Sequence, residues 1–112
     1  MIFNKDKFLE KVSGLEDLFQ EMIIIFLEDT PQNVIDITDA IKKRNALKVY
    51  EICHGLKGSA MTICADNLTE ICLELESKGQ NNDFDNIDKL SDELNQHFNE
   101  LLNELSKHME KK

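Results

Sequence analysis

Apolar residues recur at steps of three and four almost from one end of this chain to the other, and no alternating run is long enough for a strand. That spacing is the period of a helix with one buried face, so the predicted class is all-α. A short first helix is expected from about residue 5 to 12, with Asn4 as its N-cap and Ser13-Gly14 as its stop. Leu15, Leu18, Phe19, Met22, Ile23, Phe26 and Leu27 then form a wide stripe running to Thr30-Pro31. Pro31 either opens a new helix or sits within one long helix, and the stripe continues through Val34, Ile35, Ile37, Thr38 and Ile41 in both versions.

Lys42-Lys43-Arg44 suits the negative end of that helix, and Asn45 turns the chain and caps the next one, about 46–63. A further helix follows Asp66, with Leu68, Ile71, Cys72 and Leu75 on one side, and ends at Gly79. The last runs from about Phe84 to Lys107. Short connections between amphipathic helices make neighbours antiparallel, which predicts an up-and-down antiparallel four-helix bundle with a short additional N-terminal helix, one domain over residues 1–112.

The balance of 13 Lys and Arg against 22 Asp and Glu leaves a formal charge of −9, a field that repels phosphate backbones and anionic lipid. Nucleic acid and membrane insertion are therefore not expected: the longest apolar run, Met22 to Leu27, cannot span a bilayer. The N-terminus has no basic-then-apolar signal pattern, so a cytoplasmic location is expected, and the chain is expected to be a monomer. Cys53, Cys64 and Cys72 lack a paired spacing and read as reduced core thiols.

Within the helix of residues 46–63 lies Cys53-His54-Gly55-Leu56-Lys57-Gly58-Ser59-Ala60-Met61. Each interior glycine destabilises a helix by roughly 1 kcal/mol relative to alanine. Successive side chains turn by roughly 100°, which places Val49, Ile52, Leu56, Ala60 and Ile63, with Ser59, opposite His54 as the core stripe. His54 therefore faces outward, in company with Leu47, Tyr50, Glu51, Lys57, Gly58, Met61 and Ala65. Lys57 offers a cation one turn away, and Gly58, bare and outward, keeps the ground beside the ring clear. Gly55 points sideways and suits close helix packing better. Leu47, Tyr50 and Met61 supply the apolar surround of a docking patch. Imidazole is a nitrogen nucleophile near neutral pH, and phosphoryl transfer is largely in-line positioning and charge neutralisation. This face would admit another protein's phosphorylated carboxylate.

The run His54-Gly55-Leu56-Lys57-Gly58-Ser59-Ala60 resembles the His-x-Leu-Lys-Gly-Ser-Ser/Ala signature of histidine-containing phosphotransfer (HPt) domains, intermediate carriers of multistep His–Asp phosphorelays. Ala65, Leu68, Cys72, Leu75-Glu76 and Gly79 resemble the family's Gly-Ala-x-x-Leu-x-x-x-Cys-x-x-Leu-Glu-x-x-Gly helix, and Phe26 to Pro31 its helix-and-proline lead-in. Cys64 departs from the pattern, standing where the family commonly has glycine.

The resemblance implies that His54 is the phosphoacceptor, that Lys57 supports the phosphoryl group and that Gly58 gives steric access. It implies response-regulator receiver domains and a hybrid sensor histidine kinase as partners, with no cofactor on this chain and magnesium only on the receiver. Leu47, Tyr50, Glu51, Met61 and Ala65 are the expected docking residues. The alternative is a helical adaptor that docks a signalling partner without being phosphorylated.

A zinc site from Cys53, His54, Cys64, Asp66 and Cys72 is disfavoured, because Cys53 and His54 diverge on the helix and no Cys-x-x-Cys pair exists. "GLKGSA" lacks the Gly-Lys-Ser/Thr order and preceding strand of a nucleotide-binding loop. His97 and His108 lack the lysine-glycine setting and read as surface residues, and the acidic run Leu73 to Ser77 reads as solvated.

Overall fold

The helical period is realised along the chain in a computed structural model that describes residues 1–109. Five helices follow one another: α1 (Lys5–Lys11), α2 (Glu16–Lys42), α3 (Ala46–Thr62), α4 (Asp66–Gln80) and α5 (Ile87–Lys107). No strand occurs among the described residues. The Asn4 side chain accepts a hydrogen bond from the Lys7 amide, and the Asn45 side chain does the same for Lys48, so both predicted asparagine caps hold their helix starts. Ser13 and Gly14 both take positive φ, the left-handed turn that stops α1.

Pro31 lies inside α2, so of the two versions open in the sequence, the single long helix is the one adopted. The Thr30 hydroxyl, buried beside it, donates to the Phe26 carbonyl at 2.6 Å. At 27 residues, α2 runs about 40 Å at 1.5 Å per residue and accounts for the 43 Å long axis. Around it α2 packs on α3, α3 on α4, α4 on α5, and α5 returns to α2, while α1 lies against α2.

The core is the predicted stripe set with some exceptions. Phe19, Ile23, Phe26, Val34, Ile37 and Ile41 are buried from α2, and Val49, Leu56, Ala60 and Ile63 from α3 and its C-cap. Leu15, Leu18 and Ile35, expected on the buried stripe, are exposed, because a stripe that wide exceeds the arc its neighbours cover. Helix α5 starts at Ile87 rather than Phe84. Asn86 is left-handed at φ 60°, and the Asp83 carboxylate accepts from the Asp85 amide, so the chain turns before it coils. Phe84 instead lies under the Arg44 guanidinium, 5.6 Å from its ring centroid.

The α3–α4 corner is braced by the N-terminal segment. The Asn4 amide donates to the Cys64 carbonyl and the Asn67 amide to the Met1 carbonyl, both at 2.9 Å. Phe3 is buried against the Phe8, Phe19 and His108 rings. His108, expected at the surface, is therefore partly covered by aromatic packing. Cys64 adopts φ 63°, the left-handed conformation that glycine takes without strain, which is a physical reason for glycine at this corner in the family pattern.

Candidate functional site

With α3 started at Asn45 and its buried stripe turned inward, His54 is carried out into solvent, its side chain 63% exposed. Tyr50, one turn earlier, stacks on the imidazole with centroids 6.1 Å apart and 23° between the planes. One turn later, Lys57 leans towards α4, where it meets Glu76: Nζ lies 2.7 Å from Oε1 as an ion pair. The other carboxylate oxygen, Oε2, lies 2.8 Å from His54 Nδ1. Glu76 thus bridges the histidine and the lysine from the neighbouring helix.

Glu76 is a buried residue with its two oxygens directed at two donors. The Lys57 ammonium first, and then the His54 imidazole, hold its carboxyl below the usual glutamate range. An ionised carboxylate only accepts hydrogen bonds, so Nδ1 is the protonated ring nitrogen and donates. The lone pair of the neutral imidazole is then on Nε2.

The approach of α4 to α3 depends on Gly79. A Cβ there would come within 2.8 Å of both the Ala46 carbonyl oxygen and the Tyr50 amide nitrogen, backbone atoms that cannot swing aside. Glu76 lies one turn before this contact on α4. Beneath the site, Cys53 and Cys72 are buried free thiols. Burial pushes both pKa values up, that of Cys72 to about 12, so they stay protonated.

The two glycines of the motif are both exposed, and a Cβ built on either Gly55 or Gly58 meets nothing within 4 Å. Open space at Gly58 agrees with the expected clearance. At Gly55 it corrects the expectation of close packing. Leu47 and Met61 are exposed apolar residues, as expected, Glu51 is exposed and Tyr50 is half-buried. Ala65 is a correction. It is fully buried, because α3 ends at Thr62 and the angular reading cannot be extended past the turn. A side chain so enclosed is not a docking contact.

Lys57 is also bound differently from expectation. It is a half-buried cation held by a carboxylate rather than a free one awaiting a ligand. Glu76 was expected to be solvated with the rest of the acidic run. The sequence did carry a signal: Glu76 is four residues past Cys72 and eight past Leu68, inside the stripe that α4 buries. His97 is half-buried on α5 with Nδ1 3.5 Å from Glu100. Among the described residues no group of three or more His, Cys, Asp or Glu is disposed to hold a metal ion, and no helix is long and apolar enough to cross a membrane.

The site is thus an exposed imidazole held through Nδ1 on the flank of a helical bundle. The family model of the Hpt domain matches residues 21–108, and the chain belongs to the Hpt domain family, phosphocarrier modules of phosphorelay signalling. No curated protein sequence matches it. Its fold is similar to that in the crystal structure of histidine-containing phosphotransfer protein B (HptB) from Pseudomonas aeruginosa PAO1, with a TM-score of 0.88 over 96% of this chain and 94% of that one at 16% identity.

Proposed function

We propose that this chain is a phosphorelay intermediate that accepts a phosphoryl group on His54 from the phospho-aspartate of one receiver domain and passes it to another. The observation that carries the reading is the Glu76 bridge. With Nδ1–H donating to Oε2, the lone pair is left on Nε2 of a side chain that is largely exposed to solvent. In transfer, the Nε2–P bond forms as the P–O bond to the aspartyl carboxylate breaks, and that carboxylate departs with the electron pair. The proton on Nδ1 stays where it is.

Glu76 places a negative charge against the imidazolium-like ring that phosphorylation creates, and so stabilises the product. Lys57, held beside the ring by Glu76, keeps ammonium protons that the carboxylate does not use and directs positive charge to the site. Gly58 leaves the space that an incoming acyl phosphate needs. The chain acts as a carrier rather than an enzyme, with no cofactor of its own, and has receiver domains and a hybrid sensor histidine kinase as its partners. Its packing pairs and short connections support the up-and-down antiparallel order.

The test is incubation with a phosphorylated receiver domain. Acid-labile, base-stable label is expected on His54, and none on a folded His54→Gln chain. Label that persists in His54→Gln would overturn the assignment, and a wild-type chain that binds receivers without labelling would establish the adaptor instead.

A further inference from the structure

Gly55 has no role in the free fold. It lies in the interior of α3 and is exposed, and a methyl group there would touch nothing, so the bundle would be more stable with alanine. The family signature, His-x-Leu-Lys-Gly, leaves this position unspecified, so kinship does not account for the glycine either.

Its place around α3 does. At roughly 100° per residue, Tyr50 and Lys57 fall on one side of the His54 direction, and Gly55, Gly58 and Thr62 fall on the other. The first side is walled by the stacked Tyr50 ring and the Lys57–Glu76 pair. The second carries the exposed Glu51 and Leu47 before the ring, but level with the imidazole and after it presents only Gly55 and Gly58 until Thr62. It continues into a shallow apolar groove where Ser59, Thr62 and Ile63 face Met22, Ile25 and Phe26 of α2.

We propose that Gly55 is a specificity-determining position of the same phosphoacceptor site: the phosphorylated receiver lays its backbone against α3 over Gly55 and Gly58, from the α2 side of His54. The inference rests on the relay reading above. Absence of a side chain at Gly55 lets the two main chains approach, and that closeness is what brings the acyl phosphate in line with Nε2.

The experiment measures single-turnover transfer to wild-type, Gly55→Ala and Gly55→Leu chains from a receiver domain charged with acetyl phosphate. In parallel, the same chains are labelled with phosphoramidate, whose P–N bond breaks as the phosphoryl group moves to Nε2 and ammonia leaves with the bonding pair. Gly55→Ala is expected to raise the Tm by about 2–6 °C. Receiver transfer is expected to slow several-fold with Ala and by about tenfold or more with Leu, a loss on the scale of one obstructed contact. Phosphoramidate labelling is expected to be unchanged, because a small donor needs no backbone approach.

Variants that accept from the receiver at the wild-type rate would overturn this inference while leaving the relay reading intact. Equal slowing with both donors would also overturn it, by showing that the substitutions act on His54 itself. A wild-type chain that takes no label from the receiver would overturn the relay reading, and this inference with it.

Discussion

Gly79 on α4 sits against the backbone of Tyr50 on α3 so closely that a Cβ would lie 2.8 Å from the Tyr50 amide nitrogen and 3.1 Å from its Cα. This contact sets the distance at which α4 runs beside α3, one turn from Glu76. Gly79→Ala is therefore expected to lower stability by about 1–3 kcal/mol, the usual cost of overpacking against atoms that cannot rotate away. It should also slow His54 labelling in the fraction that remains folded. Urea unfolding and single-turnover labelling measure the two effects, and an alanine variant as stable as the wild type would refute the contact's importance.

Glu76 supplies a pH signature. Its carboxyl is held below the ordinary value of 4.5 in the folded chain by Lys57 and then His54. A depressed acid contributes stability that is fully present above the unfolded-state pKa and is lost as pH falls through the folded-state value. The chain should therefore lose stability as pH drops below about 4.5 through this group. Glu76→Gln, which cannot ionise, should flatten that part of the acid limb in thermal melts from pH 3 to 6. The same variant should slow phosphoryl transfer by about tenfold or more, since a neutral amide stabilises a charged ring less than a carboxylate does.

Leu47 and Met61 are the exposed apolar side chains of the His54 face. Met61→Glu should weaken receiver docking and reduce the rate of transfer at limiting receiver by about tenfold, while thermal stability stays within about 0.5 kcal/mol of wild type. Stopped-flow transfer and a thermal melt decide this together, and unchanged transfer would remove Met61 from the docking surface.

The buried thiols give a prediction about reactivity. Cys72, with its pKa raised to about 12, holds on the order of one thiolate in ten thousand at pH 8, and Cys53 is pushed up by burial as well. Iodoacetamide should leave both unmodified in the native chain and modify both in urea, with peptide mass spectrometry locating the adducts. Rapid native alkylation at Cys72 would show that α3 and α4 open locally.

Much of this was legible from residue order. The asparagine caps at positions 4 and 45, the left-handed stop at Ser13-Gly14 and the outward direction of His54 all depend on interactions within a few residues, and all were expected where they occur. The start of α5 was misplaced by three residues, because an Asx turn at Asp83 competes with the apolar pattern that begins at Phe84. Ala65 was misplaced on the outward face because a helical angle has no meaning beyond the end of the helix.

Periodicity is a property of one helix, so the chain's own order of residues was enough to choose helices over strands, to orient each around its axis and to single out His54, Lys57 and Gly58. Glu76 is 22 positions from His54, and its meeting with the imidazole depends on how far apart α3 and α4 lie and how each is rotated towards the other. Those quantities follow from the fit of Gly79 against Tyr50 and from the closing of four helices on one core. Folding alone brings the carboxylate to Nδ1, because that fit is a sum over many contacts distant in sequence.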